Sequence, residues 1–477
     1  MLQDHQLHNL RETVIKGCER FGYEDSNQYL HELIISQGLT AQLEYLIAGV
    51  TVGESYFFRD SEQIELLRGK LLPEMIAAKR ESGNLSIRAW SAGCSQGQEI
   101  YTIALLLLEL IPDIDHWRIH LLGTDINNEV VSKAIRGQYT EWSFRATPPL
   151  IRDRWFERVG KEYEINAKIK RLVRFAYLNL TEDVYPSIMS ETNALDLILC
   201  RNVFIYLDRQ VVQRSMSNYA DCLLEEGVLL LGASDPVEFK HTKLELIQTG
   251  ATAYFQKYSF PKKSEYAFQH AIQKPAAQSR RLETDSLASV TSRKVPPELP
   301  KPELVEHRAL SDQELAEFIK QLKGSDWASA LAQVEAIFKQ GKENSDLWQM
   351  KAKALANLGK AELALQACEH SLQLDPANKH TYLILGLILS ELDCQQEAEA
   401  AFRKTLYLDR SFLEAHYELG MLRVRAKDLP GALKSLGNAL KLAKQADPDR
   451  ELHNASGMTY KRFAQVLQNE IEMLSSV

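Results

Sequence analysis

The chain contains 477 residues, 45% of them hydrophobic, and has a formal net charge of −8. This length predicts two or three domains with full apolar cores, and the acidic balance gives no reason to expect nucleic acid as a partner. The six cysteines form no C-x-x-C pair, so the sequence predicts no metal site and favours a reducing compartment. The first residues lack the form of a signal peptide and no apolar run is long enough to cross a bilayer, so we expect a cytoplasmic protein without direct membrane insertion.

The first 260 residues divide into two predicted domains. Residues 1–75 show short amphipathic patterns and predict a small helical domain. Residues 76–260 alternate between strand-like and helix-like runs, and the predicted strands are 85–91, 119–124, 172–178, 195–200, 228–232 and 253–258. Helical stretches follow the first, second and fourth of these strands, which predicts a mostly parallel sheet covered on both faces. Residues 244–258, with Gly250 between two arms, predict a terminal hairpin.

The first predicted strand runs into a turn of small residues and then into an apolar helix, over residues 85–101. Strand, glycine-bearing turn and helix form the opening unit of a nucleotide-binding α/β domain. Gly93 and Gly97 would let the backbone approach a ligand closely. The G-x-G-x-x-G phosphate motif is missing, and Glu99 suits a cationic amino-acid group better than a pyrophosphate, which favours S-adenosylmethionine over NAD. Alternatively, Glu99 complements the dipole of the helix.

Two further strands end in polar residues that are candidate ligand contacts. Asp125 closes the second strand, where an acid can accept hydrogen bonds from ribose hydroxyls, or can cap the helix that starts near Asn127. The buried strand 195–200 runs into Arg201 and Asn202 at the edge of the sheet where open α/β proteins bind ligands. The alternative is that these two side chains only satisfy loop carbonyls.

The segment 51–60 joins the helical region to the α/β region. Its aromatic triplet, residues 56–58, indicates packing rather than function. Arg59 is a candidate fixed cation, unless Asp60 beside it neutralises the charge for structural reasons.

The last third of the chain is repetitive. Residues 261–308 are rich in Pro, Ser and charged residues and predict a flexible linker. Beyond them, small residues recur at intervals of 34, at Ala330, Ala364, Ala398 and Ala432. This period is typical of tetratricopeptide repeats, which are predicted over 309–445 and followed by a capping helix in 446–477.

Four segments, taken in order, resemble one family. SYFFRD, SAGCSQGQEIYTIA, GTDI and CRNVFIYLD are similar to the CheR family of chemoreceptor glutamate methyltransferases, over about residues 10–258. The resemblance implies an α/β fold, with a small N-terminal helical domain on a doubly wound sheet of the S-adenosylmethionine-dependent methyltransferases, here followed by an all-α solenoid of TPR repeats. It also implies an activity in chemosensory adaptation, the methylation of glutamate side chains on the cytoplasmic signalling domain of chemoreceptors, with S-adenosyl-L-homocysteine as the second product.

The same resemblance implies roles for individual residues. Arg59 matches the arginine beside the transferred methyl group and Tyr206 matches the tyrosine near the reacting centre, so both are expected to be catalytic. The expected cofactor-binding residues are Gly53, Ser55, Arg59, Gly93, Glu99, Asp125, Asn179, Leu180, Arg201 and Asn202. The chain departs from the family pattern at Gly53, Gln98 and Ala233, which puts the affinity for the cofactor in doubt.

Two regions bear on how the chain would bind protein partners. In the family, the stretch between Phe156 and Phe175 carries a small β-subdomain that in some members binds a pentapeptide at receptor C-termini. Here it is shorter and lacks a glycine pair, as in members without that tether. The repeats would then dock a further protein partner through their concave face, or mediate self-association. Two rivals remain: a signalling scaffold with a degenerate methyltransferase domain, and a methyltransferase for another substrate.

Overall fold

The computed structural model describes most of the chain outside the predicted linker. The described residues are 4–35, 40–51, 53, 55–181, 185–235, 241, 243–250, 252–258, 327–339, 341–448, 450, 452 and 459–475. The predicted linker 261–308 and the start of the predicted repeats, 309–326, lie outside the described residues. No helix in the described ranges is both long and apolar enough to cross a membrane.

The N-terminal region is helical. Its helices are α1 (Asp4–Phe21), α2 (Ser26–Ile35), α3 (Ala41–Val50), α4 (Ser61–Leu66) and α5 (Leu72–Glu81), with a π-helical turn at Leu67–Leu71. Tyr29 of α2 is fully buried, and its hydroxyl donates to the carbonyl of Gln42 at 2.8 Å, which ties α2 to the start of α3. Thr40 caps α3 by accepting from the Leu43 N–H at 3.2 Å.

A seven-stranded sheet forms the centre of the described α/β region. The strands in chain order are β1 (Ser86–Ala92), β2 (Arg118–Asp125), β3 (Gln138–Tyr139), β4 (Phe156–Val159), β5 (Glu162–Ile165), β6 (Val173–Tyr177), β7 (Leu195–Cys200), β8 (Leu223–Leu231), β9 (Leu244–Thr249) and β10 (Thr252–Lys257). The order is β6-β2-β1-β7-β8-β10-β9, parallel except where β10 pairs with β8 and β9. The predicted parallel sheet and terminal hairpin are confirmed, while β3, β5 and β4 form a separate small antiparallel sheet.

The two faces of the large sheet are covered differently. Its intervening helices are α6 (Gln98–Leu110), α7 (Asn128–Arg136), α8 (Pro149–Trp155), α9 (Ala167–Lys170) and α10 (Arg209–Cys222). We call the face with Ile87 and Leu121 the first face; its apolar core includes side chains of α4, α5, α6, α7 and α9. The opposite, second face carries Trp90 and Leu122, and α10 packs on it near β8. Between β6 and β7 the described residues contain no helix, so β6, β2 and β1 need another cover on this face.

The C-terminal region, which we call the array (residues 327–475), is all helical. Its helices are α11 (Trp327–Phe338), α12 (Ser345–Asn357), α13 (Ala361–Leu374), α14 (Lys379–Glu391), α15 (Gln395–Leu408), α16 (Leu413–Arg425), α17 (Leu429–Gln445) and α18 (Tyr460–Ser475). Ala364, Ala398 and Ala432 are fully buried in the second helix of each pair, which explains the small residue at this point of the repeat. At Gly386 a Cβ atom would lie 2.4 Å from the ring of Phe402, so the paired helices approach too closely for a side chain. The predicted α/β fold with a C-terminal solenoid is confirmed.

Candidate cofactor and active site

The carboxyl ends of β1, β2, β6 and β7 open into a cavity of about 940 Å³. This is the edge of an open parallel sheet at which ligands bind. The structure brings all of the site residues predicted from the sequence into the wall of this cavity: Gly53, Ser55, Arg59, Gly93, Glu99, Asp125, Asn179, Leu180, Arg201, Asn202 and Tyr206. Its volume lies within the range for small-molecule and cofactor sites.

The turn after β1 is closed by backbone hydrogen bonds to β2. The Gly93 N–H donates to the carbonyl of Thr124 at 2.8 Å, and Gly93 has a φ of +80°. A Cβ atom at this position would lie 2.4 Å from Cγ2 of Val203. Glycine is therefore required by the backbone conformation and by the packing of Val203, in addition to the close approach of a ligand that the sequence predicted.

Asp125 lies at the end of β2 and faces the cavity. Its carboxylate accepts from the backbone N–H groups of Ser95 and Asn127, both at 2.9 Å. Burial raises the pKa of Asp125, while these N–H groups act in the opposite direction. The alternative role of Asp125 as a helix cap is wrong, because Asn127 caps α7 by accepting from the N–H groups of Glu129 and Val130. The carboxylate keeps further lone pairs for a ligand, since each of its oxygens can accept more than one hydrogen bond.

Glu99 and Arg201 form a buried pair, which with its neighbours we call the Arg201 cluster. The Arg201 guanidinium donates to Glu99 at 3.1 Å, to the side-chain oxygen of Gln63 at 2.7 Å and to the carbonyl of Arg59 at 2.7 Å. The other Glu99 oxygen accepts from the Ser91 hydroxyl at 2.7 Å. Arg201 thus satisfies a loop carbonyl, as one of the two interpretations expected, and at the same time fixes the acid and the Arg59 backbone in the cavity wall.

The turn that follows β7 depends on an acid that the sequence interpretation missed. Asn202 has a φ of +59°, and its N–H donates to Oδ2 of Asp235 at 2.5 Å. The same oxygen accepts from the Gly232 N–H at 2.9 Å, and Oδ1 accepts from the Ile205 N–H at 3.2 Å. Burial raises the pKa of Asp235, opposed by these N–H groups. The signal for this role was an acid four residues after the last residue of a buried strand, β8, at the same edge of the sheet.

The segment around residue 53, which connects the N-terminal helices to the sheet, is tied to the β1 turn. The Ser95 hydroxyl donates to the carbonyl of Gly53 at 2.9 Å, and the Gln98 amide donates to the carbonyl of Ser55 at 3.4 Å. An amide side chain can donate to this carbonyl, which an ionised carboxylate at the same position could not do. The departure at Gln98 therefore has a structural role, and Gln98 itself is buried.

The opening of the cavity is aromatic and cationic. Phe57 is fully buried and stacks on Phe144 with ring centroids 5.2 Å apart, so this part of the aromatic triplet serves packing, as predicted. Arg59 lies with its guanidinium carbon 5.7 Å from the ring centre of Tyr56. Tyr206 is 49% exposed. The cavity wall at Tyr206 is therefore in contact with solvent.

Comparison with known proteins identifies the family. Residues 53–254 match the family described as CheR methyltransferase, SAM binding domain, and residues 345–378 match the tetratricopeptide repeat. A probable chemotaxis protein methyltransferase of Rhizobium etli is 33% identical over 232 residues, which cover 47% of this chain and 84% of that protein. This chain belongs to the CheR methyltransferase family. It is an S-adenosylmethionine-dependent methyltransferase with a C-terminal tetratricopeptide region.

Another relative is similar over most of the chain. The probable biofilm formation methyltransferase WspC of Pseudomonas aeruginosa is 25% identical over 423 residues, covering 89% of this chain and 91% of that protein. A chemotaxis protein methyltransferase of Borreliella burgdorferi is 31% identical over 218 residues, covering 45% of this chain and 75% of that protein. Because the aligned length exceeds the part of the chain that precedes the array, the similarity to WspC reaches into the array.

Proposed function

We propose that this chain transfers the methyl group of S-adenosylmethionine to glutamate side chains in the cytoplasmic signalling domain of chemoreceptors, releasing S-adenosylhomocysteine. The observation that carries the proposal is the convergence of all eleven predicted site residues on one cavity, with Arg59 in its wall and half-exposed Tyr206 at its opening. The relatives named as chemotaxis protein methyltransferases support this substrate class. An opening that accepts a side chain from outside suits a protein substrate.

In this proposal the lining residues bind and orient, and none acts as a base. A glutamate carboxylate is already ionised at pH 7, its reference pKa being about 4.3. Bound S-adenosylmethionine supplies the electrophilic methyl group. Asp125 would hold the ribose hydroxyls, and Arg59, which is always protonated, would orient the incoming carboxylate beside Tyr206. Holding the reacting atoms in line is a proximity effect worth up to roughly 7–11 kcal/mol.

The test is methyl transfer from labelled cofactor. The purified full chain is incubated with methyl-labelled S-adenosylmethionine and membranes rich in receptor signalling domains, and base-labile label released as methanol from the receptor band is measured. Release of methanol would establish glutamate methyl esters. No label, with cofactor binding intact and a working control enzyme, would favour another substrate or the scaffold.

We also propose that the array docks a further protein partner, on the surface of its second helices. The first helices carry contacts to the α/β region, whereas Leu374 of α13 and Tyr407 of α15 are 51% and 79% exposed. Lys404 lies 5.1 Å from the ring centre of Tyr407, which gives this surface a cationic and aromatic character. Tyr407→Ala should weaken binding of this further partner and leave turnover on excess receptor unchanged. A change in molecular mass instead would indicate self-association.

A further inference from the structure

A row of charged side chains occupies the second face of the sheet where it lacks a helix. Arg88 of β1 lies opposite His120 of β2 in register, and Arg174 of β6 lies opposite Leu122. Trp90 and Leu122 on the same face belong to an apolar core, and side chains two positions apart along a strand share a face. A face buried in a parallel sheet is normally apolar, so these charges need polar partners from whatever covers them.

The cover begins with residues 185–194, which we call the docked loop. It is closed by the Thr192 N–H, which donates to the carbonyl of Ser187 at 3.1 Å. Ile188 and Met189 are 3% and 9% exposed and belong to one apolar cluster with side chains of α12 to α16. The loop therefore packs into the array in the manner of a bound peptide, although it is part of the same chain.

Equivalent positions of successive repeats hold the docked loop. Asn357, Glu391 and Arg425 are the last residues of α12, α14 and α16, and lie 34 residues apart. Asn357 accepts from the Ile188 N–H at 2.8 Å, and Glu391 accepts from the Asn193 side chain at 3.0 Å. Arg425 donates to Glu191 at 2.6 Å. The last residue of the first helix in three successive repeats thus contacts the backbone or a side chain of the docked loop.

Glu191 of the docked loop joins the array to the charged row, in what we call the Glu191 cluster. It pairs with Arg174 of β6 and with Arg425, and lies 3.4 Å from the His120 ring. Arg174 also donates to the hydroxyl of Tyr417 in α16 at 2.9 Å. Burial by itself would raise the pKa of Glu191, but the surrounding arginines hold it below its usual value, so the carboxylate stays charged.

The array also holds both ends of the cavity wall formed by residues 178–181. Just before this wall, the hydroxyl of Tyr177 accepts from Arg462 of α18 at 3.2 Å. Just after it, the carbonyl of Pro186 accepts from the Trp327 indole of α11 at 3.1 Å. The hydroxyl of Tyr185 joins the docked loop to the wall, because it donates to the carbonyl of Leu180 at 3.2 Å. The same hydroxyl lies 3.0 Å from the hydroxyl of Ser215 in α10.

We infer that the array is a positioning element of the methyltransferase site: by holding residue 177 and the docked loop, it keeps the wall 178–181 in the shape that binds S-adenosylmethionine. The inference rests on the cofactor site assigned under the proposed function. On the second face α10 also contacts this wall, because Arg214 donates to the carbonyl of Thr181, and the array adds contacts at the two ends of the wall. If the contacts are removed, a smaller fraction of molecules has a binding-competent wall, and the apparent dissociation constant rises by the reciprocal of that fraction.

The test compares variants of the full chain. Asn357→Ala and Arg425→Ala remove contacts to the docked loop, and neither residue lines the cavity. Asn438→Ala and Arg403→Ala are matched controls on exposed positions of α17 and α15. Cofactor affinity is measured by titration calorimetry at a temperature where all four are folded, and amide exchange is followed in residues 177–194. We expect the dissociation constant to rise about five- to ten-fold in both test variants, with faster exchange in 177–194, and to stay within about two-fold in the controls.

Two results would overturn the inference. The first is that both test variants show the cofactor affinity and amide exchange of the controls. The second is that they have a lowered melting temperature with unchanged affinity. In either case the contact would be purely structural. Failure of the proposed substrate looks different, because the wild-type chain would then bind S-adenosylmethionine and not label the receptor. A wild-type chain that does not bind the cofactor would remove the site itself, before any variant is made.

Discussion

The Arg201 cluster and the Glu191 cluster bury the same kinds of charge and are assembled in different ways. In the first, Arg201, Glu99 and Gln63 all come from the α/β region and its flanking helix, and they line or back the cavity. In the second, Glu191 meets Arg425, which lies 234 residues further along the chain. One cluster shapes a ligand site, and the other joins two parts of the molecule.

The difference indicates what each cluster contributes. Removing two charges from water is costly, so a buried pair adds little net stability even when it is fully satisfied, but losing one partner leaves the other uncompensated. A substitution of a residue in the cavity wall should therefore be seen mainly in cofactor binding or turnover, because the partner that such a residue loses is the ligand. A change in the Glu191 cluster should be seen first in the stability of the contact between the array and the sheet, and through that contact in cofactor affinity.

The largest expected effect is that of Glu191→Ala on stability. The substitution leaves Arg174 and Arg425 facing each other without their shared anion, so we expect the free energy of unfolding to fall by about 3–5 kcal/mol. Chemical denaturation followed by circular dichroism measures this change. Glu399→Ala, which removes an exposed pair with Arg403, is the control and should cost less than about 1 kcal/mol. Equal losses would mean that the Glu191 cluster does not hold the contact.

Arg59→Ala should separate turnover from binding. Arg59 lies in the cavity wall and is expected to orient the incoming carboxylate, so we expect turnover to fall by about 100-fold, the loss that a misplaced reacting group can cause. The dissociation constant for the cofactor should change far less. Arg59→Lys, which keeps the charge without the planar fork, should give an intermediate rate. Equal losses of turnover and affinity in Arg59→Ala would leave it as a binding residue only.

Asp125→Ala tests the ribose end of the cavity. The substitution removes a carboxylate that is expected to accept hydrogen bonds from the cofactor, so binding should weaken by about 1.5–3 kcal/mol. Because the backbone N–H groups of Ser95 and Asn127 also lose their acceptor, part of the loss reflects a less ordered turn. Asp125→Asn keeps an oxygen acceptor for these groups and should lose less. Unchanged affinity on titration calorimetry would remove Asp125 from the site.

The sequence predicted the parts of the site that depend on local patterns. Gly93, Asp125 and Arg201 each stand where a strand ends, and a parallel sheet brings such ends to one edge, so their convergence follows from the strand pattern. Asp235 and Gln63 were missed, because they act on backbone and on Arg201 rather than on a ligand. The position of Asp235 shortly after β8 was a signal for its role, whereas nothing in the local sequence of Gln63 distinguishes its use.

The contact between the array and the sheet could not be predicted in the same way. Arg425 ends an ordinary repeat helix, and its partner lies in a loop more than 200 residues away, so no periodicity connects the two. A weaker signal was present in the strands, since Arg88, His120 and Arg174 interrupt runs that should be apolar if both faces are buried by helices. No helix was predicted after the third strand. Together with that gap, these charges indicate that something other than a helix of the α/β region covers this face of the sheet. The predicted domain boundaries stay predictions.

The smallest expected effect is a pH dependence of the unfolding free energy. It arises from buried carboxyl groups of the array that lie at its contact with the sheet. Burial raises the pKa of Glu418 in α16 to about 7, partly opposed by Arg174, and raises that of Glu470 in α18 to about 7 as well. A carboxyl whose pKa in the folded state lies above its usual value near 4.5 takes up a proton on folding between these two pH values. The stability that it contributes is present below pH 4.5 and is lost as the pH rises towards 7.

Glu418→Gln removes this titration. Relative to the wild type, the variant should gain about 1–2 kcal/mol of unfolding free energy between pH 4.5 and pH 7.5. This is less than a full shift would give, because the neighbouring Glu470 also has a pKa raised to about 7 and the two titrations are coupled. Denaturation midpoints of both proteins across this range measure the difference. Glu397→Gln, on an exposed position of α15, should show no such trend. A difference that stays constant with pH would mean that Glu418 is ionised in the folded chain, and that the array meets the charged row through a pair with Arg174 rather than through a protonated acid.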